Sequence, residues 1–94
     1  MHPRLAEDFI WDERNARELA AHHITEREAE QVFWNGPVWP KNKRGRSGDR
    51  FMIGFTDAGR ALTLVVVVQQ ETRALRVITG WDSTTGEWTR YLSK

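Results

Sequence analysis

Five cations fall within ten residues at Lys41, Lys43, Arg44, Arg46 and Arg50, opposed only by Asp49. Gly45 and Gly48 loosen the chain between them, so the segment can follow a phosphate backbone and release its counterions. Trp34 and Trp39 stand just upstream, and an indole offers a face on which a base can stack. The competing reading is a charged run that does no more than keep a loop solvated. Two further arginines stand in strand-like sequence. Arg76 shares a face with Ala74 and Ile78, where a guanidinium is costly unless paired or open to a cleft. Arg60 follows a turn glycine near the end of the same sheet. Arginines on rigid strands can stabilise the charge that builds on a phosphate in flight. Equally, each can pair with a carboxylate of the N-terminal half. His22 and His23 are neighbours on a helical pattern, hence about 100° apart, and cannot chelate one metal together. No third ligand sits at a recognised spacing, so neither metal nor cofactor is expected. Near a helix end His22 either complements the helix dipole or transfers protons.

These residues need a scaffold, and its punctuation is legible. Asp12 caps a helix to about His22, with a thin apolar stripe of Ala16, Leu19 and Ala20. Thr25-Glu26-Arg27-Glu28 is a capping box, and Asn35-Gly36-Pro37 ends the helix it opens. Residues 36–50 read as a loop. Phe51 to Thr56 alternates at the strand period, Asp57 to Arg60 turns, and Ala61 to Val68 is a β-branched strand covered on both faces. After a polar turn, Ala74 to Trp81 alternates again, with Leu75, Val77, Thr79 and Trp81 on one face. Thr84 to Glu87 is a second capping box, opening a short C-terminal helix. The order predicts an α+β domain: two N-terminal helices, a three- to four-stranded antiparallel sheet with the helices on one face, and a short C-terminal helix. Trp11, Trp81 and Trp88 are assigned to its core.

The 94 residues suffice for one domain, spanning 1–94. With 39% hydrophobic and 29% charged residues the chain is globular in composition. The absence of cysteine excludes disulfide scaffolds, thiolate metal sites and cysteine nucleophiles. The apolar run Leu64 to Val68 is too short for a bilayer and no signal-peptide core is visible, so a cytoplasmic protein without membrane contact is expected. The net charge of +1 divides into −4 over residues 1–40 and +5 over residues 41–94. Either the second half meets an anionic partner, or the two halves neutralise each other across the fold.

A resemblance connects these features. Phe9-Ile10-Trp11-Asp12-Glu13, Asn15, His22-His23-Ile24-Thr25 with Glu28-Ala29 and Val32-Phe33 resembles the opening of the BrnT-like toxin family. The likeness continues through Ile53-Gly54, Thr56-Asp57-Ala58-Gly59-Arg60, Arg76-Val77-Ile78-Thr79, and Glu87 with Arg90-Tyr91, covering about residues 9 to 91. It implies a RelE-related fold and a metal-independent endoribonuclease, the toxin of a type II toxin–antitoxin module. The implied partners are an RNA substrate and a cognate antitoxin, with DNA met only through that antitoxin. The residues it marks as catalytic are Arg76, Arg60, His22 and Tyr91, with Arg90 joining the loop cations in binding RNA. Three positions depart from the pattern. His23 replaces a customary glycine, and Trp81 and Thr85 stand where the family commonly has arginine. The alternative these departures allow is a catalytically weak or inactive RelE-like domain that binds protein or nucleic acid.

Overall fold

Asp12 opens the first helix by taking extended backbone and accepting the Asn15 N–H on Oδ1 at 2.8 Å. This computed structural model describes residues 2–42 and 50–93. Helix α1 (Glu13–Ala21) ends in a Schellman turn: the Ile24 N–H reaches the Leu19 carbonyl at 3.0 Å and the His23 N–H reaches Ala20 at 2.9 Å. His23 holds the left-handed position at φ +59°, where glycine would carry no Cβ penalty. Helix α2 (Glu26–Trp34) has the full capping box, with Thr25 and Glu28 each accepting the other's backbone N–H.

The strands are β1 (Asp8–Ile10), β2 (Arg50–Phe55), β3 (Ala61–Gln69) and β4 (Ala74–Asp82), in the sheet order β1-β4-β3-β2. β2, β3 and β4 form the expected antiparallel meander, but β1 pairs with β4 in parallel. The domain is α+β and its sheet is mixed rather than wholly antiparallel. Three residues are too few to show a period, so β1 leaves no pattern to read. It closes part of an edge of β4 that would otherwise present unpaired backbone groups. A bulge also breaks the alternation expected across β4. Val65 opposes Thr79 and Val66 opposes Val77, leaving Ile78 as the extra residue. Buried positions therefore pass from Leu75 and Val77 to Gly80.

α1 and α2 bury Leu19, Ile24, Ala29 and Val32 against Met52, Leu62, Leu64, Val66, Leu75 and Val77. Thr63 points to the opposite face, where its hydroxyl meets Glu87 at 3.0 Å. The C-terminal helix α3 (Thr85–Glu87), continuing as a π-helix over Trp88–Leu92, thus covers the second face instead of joining the other helices. Phe55 stacks edge-on with Trp88 at 5.2 Å, and Phe51 with Trp81 at 6.3 Å. Covered from both sides, β2 buries Met52, Ile53 and Gly54 in succession. Trp88 is 43% exposed, so it lids this face from outside the core to which its type assigned it. The ends of the 36–50 segment belong to the sheet, since Val38 bridges Ile53 and Lys41 bridges Arg50.

Two substitutions test this packing. A Cβ on Gly80 would collide with Leu64 and lie 3.1 Å from the Thr63 carbonyl oxygen, so Gly80→Ala should cost about 1–3 kcal/mol in urea unfolding. His23→Gly should gain about 1 kcal/mol in the same measurement, by relieving the left-handed residue.

Candidate functional site

Arg60 enters β3 directly after the turn at Gly59, and that turn aims its side chain at the junction of α1, α2 and the end of β4. Its Nε and Nη2 grip the two Asp82 oxygens at 2.7 and 3.0 Å. Nη1 reaches the His23 carbonyl at 2.7 Å and both Glu28 oxygens at 3.3 Å, while Nη2 also reaches the His22 carbonyl at 3.4 Å. Every nitrogen of the guanidinium is engaged. Asp82, chiefly through its bonds to Arg60, is held below its ordinary value of 3.8. Glu28 is held below 4.5, first by the Thr25 backbone N–H and then by Arg60. The same pairing, led by Asp82, raises the Arg60 guanidinium still further above neutrality.

Arg76 is differently placed. Its Nη1 donates to Asp12 at 2.6 Å and to Asn15 at 3.1 Å, so the cap of α1 binds the sheet arginine with its second carboxylate oxygen. Asp12 is held low first by the Asn15 backbone N–H and then by Arg76. Among the described residues only Nη1 of this guanidinium is engaged, and the side chain keeps 27% of its exposure. One turn further along α1, Glu18 accepts the Thr79 hydroxyl at 2.8 Å and lies 3.5 Å from the His22 Nε2. α1 therefore meets three of the sequence candidates: Arg76 at its start, His22 near its end, and Arg60 at its terminal carbonyls.

Tyr91 and Arg90 lie together on the C-terminal helix, the guanidinium 5.4 Å from the ring centroid. Among the described residues no contact joins them to Arg60, Arg76 or His22. Lys41 and Arg50 face one another across their bridge, and the Arg50 Nη1 donates to the Trp39 carbonyl at 3.2 Å. Lys43, Arg44 and Arg46 lie outside the described residues. Of the departures, the Trp81 Nε1 donates to the Glu87 carboxylate at 3.1 Å, and Thr85 is the first residue of the helix that Thr84 and Glu87 cap. Among the described residues no three His, Asp or Glu side chains gather where they could hold a metal ion, and no helix is long and apolar enough to cross a membrane.

Sequence reasoning allowed each arginine a carboxylate of the N-terminal half without saying which, and the partners are Asp12 for Arg76 and Glu28 for Arg60; it passed over His2 beside Trp39. The caps were visible, but a capping carboxylate has a second oxygen whose partner no local pattern reveals. No family model matches the chain, and neither a curated protein nor a solved structure does.

Asp82, Glu28 and Asp12 titrate lower in the folded chain than unfolded, so the folded state binds fewer protons in the acid range. Their stabilisation should be complete above the ordinary values of 3.8 and 4.5 and fall away as pH drops below them. Urea midpoints measured across this range should decline with acid, and Asp82→Asn should flatten the decline. A midpoint independent of pH would remove the carboxylates from the account.

Proposed function

We propose that this chain is the toxin of a toxin–antitoxin pair, a cytoplasmic and metal-independent endoribonuclease. The reading rests on one observation beside the motif resemblance: Arg76 stands on a rigid strand, oriented by Asp12 and Asn15, with two guanidinium nitrogens unengaged among the described residues. A fork held at one end is prepared to take a phosphate with the other. In the proposed reaction the RNA 2′-oxygen bonds to the adjacent phosphorus and the bond to the 5′-oxygen breaks. A base takes the 2′-hydroxyl proton and an acid returns one to the departing oxygen. Arg76 is the phosphate clamp, His22 and Tyr91 are the candidate proton-transfer groups, and Lys41, Arg50 and Arg90, with the loop cations Lys43, Arg44 and Arg46, hold the RNA. Arg60, with every nitrogen engaged, serves by fixing the α1 terminus that carries His22. A small antitoxin with an acidic segment is the expected inhibitor, since it must cover the cationic surface.

A second reading has its own support. Arg60 has no donor left for substrate, and Trp81 gives Glu87 a neutral donor where an arginine would bring charge. Both suit a RelE-like domain that binds without cutting.

Induced expression in a bacterium, with growth and bulk RNA followed, separates the two. The toxin reading expects growth arrest and fragmented RNA. Arg76→Ala, if folded by circular dichroism, should lose about 2–4 kcal/mol of transition-state stabilisation, that is about 30- to 900-fold in rate. Intact RNA and undisturbed growth at high expression would transfer the assignment to the binding domain.

A further inference from the structure

Among the described residues four arginines are matched. Arg17, Arg60, Arg73 and Arg76 each lie within ion-pair distance of a carboxylate. Arg4, Lys41 and Arg50 form no ion pair among the described residues, and contacts through His2 and the Trp39 backbone bring their segments together. Arg50 donates to the Trp39 carbonyl at 3.2 Å, and Lys41 lies across the bridge from it. His2 stands edge-on to the Trp39 ring at 5.5 Å, and its Nδ1 accepts the Arg4 N–H at 3.0 Å. The imidazole takes a proton less readily than an ordinary histidine, first through burial and then through the charges of Arg50 and Arg4. The His2 ring thus joins the two segments by contact. From Trp39 the aromatic surface runs on to Phe33 at 6.0 Å and from Phe33 to Trp34 at 4.7 Å. Trp34 ends the ridge with 67% of its surface exposed, the most exposed large hydrophobic side chain described.

Gathered like charges repel, and an exposed indole forgoes burial; neither helps the fold by itself. Together they suit one class of ligand. A single-stranded nucleic acid offers phosphates to surface cations and unpaired bases to an open ring. We propose that Arg4, Lys41 and Arg50 seat the backbone of single-stranded RNA while Trp34 stacks on one of its bases, forming a binding strip apart from Arg76. This deepens the ribonuclease reading and rests on it: the strip holds substrate flanking the bond to be cut. The cations are surface point charges on separate segments beside a flat ring, as sequence-tolerant strand binding requires, rather than a buried fork shaped for one carboxylate.

The test is fluorescence anisotropy with a labelled 2′-O-methyl oligouridylate, which has no free 2′-hydroxyl and cannot be cleaved, titrated over several salt concentrations. Three proteins are compared: the parent chain, an Arg4→Gln/Lys41→Gln double variant, and Trp34→Ala. All three replaced side chains are exposed, so the fold should survive, and circular dichroism checks it. The double variant should bind more weakly, with the salt slope shallower by about 1.4, or 0.7 per phosphate contact. Trp34→Ala should bind about tenfold more weakly with its salt slope kept. If the parent chain binds and both variants match it, the strip is wrong while the ribonuclease reading stands on its growth assay. If the parent chain binds no oligonucleotide and arrests no growth, both are wrong. A polyglutamate peptide that binds where the oligonucleotide does not, and is lost from the double variant, assigns the strip to an acidic protein segment and overturns the RNA proposal.

Discussion

One guanidinium holds the corner on which this domain turns. Arg60 joins the His22 and His23 carbonyls just past α1, the capping carboxylate of α2 and the final residue of β4. Each of these pairs is partly exposed, and singly such pairs contribute at most about 1 kcal/mol. Their value is directional. A planar fork with fixed donor angles sets where two helices meet the sheet, which apolar packing alone specifies less sharply. Glu28 shows the economy of the arrangement, since it closes the α2 capping box and receives Arg60 with one carboxylate. His23 must keep its left-handed backbone for its carbonyl to reach this corner, so the strain at φ +59° and the ion pair belong to one structure.

The second face of the sheet is organised by a carboxylate instead. Glu87 accepts from the Thr63 hydroxyl, the Trp81 indole and the Thr84 backbone. Thr63 is fully buried, and its hydroxyl would be costly without this partner and Ser83 beside it. The C-terminal helix is thus tied to the sheet by polar groups at its first turn and by Trp88 against Phe55 at its second. A three-residue α turn passing into a π turn has little stability of its own, so this anchoring carries it.

Local signals in the sequence located the helices and the meander well, because caps, turn glycines and strand alternation act over a few residues. Asp12, Thr25 and Thr84 cap as their types and spacing say. What escaped was non-local. β1 is a strand only because β4 offers it an edge, and the bulge at Ile78 exists only in the pairing of β4 with β3. The placement of the C-terminal helix on the far face depends on Thr63 and Trp81, distant from it or hidden in a strand pattern. For the candidate site the residue types were visible and the partners were not. Arg60 and Arg76 look alike in sequence, but a fork fully engaged and a fork held at one end are different chemical objects.

The charge asymmetry between the two halves of the chain resolves in the same way. Among the described residues three ion pairs cross from one half to the other: Glu28 with Arg60, Glu7 with Arg73, and Asp12 with Arg76. To that extent the acidic half neutralises the basic one and the asymmetry is structural. The neutralisation is selective, however. It reaches Arg60 just before β3, Arg73 in the turn after it and Arg76 on β4, and among the described residues it stops short of Lys41 and Arg50 at the edge formed by β2. Arg4, from the acidic half, gives its N–H to His2, whose ring packs on Trp39 beside them. Charge balance alone gives no account of why Arg4, Lys41 and Arg50 are left without an ion pair among the described residues. In the reading proposed above, this residual positive edge is the part of the asymmetry that meets the RNA.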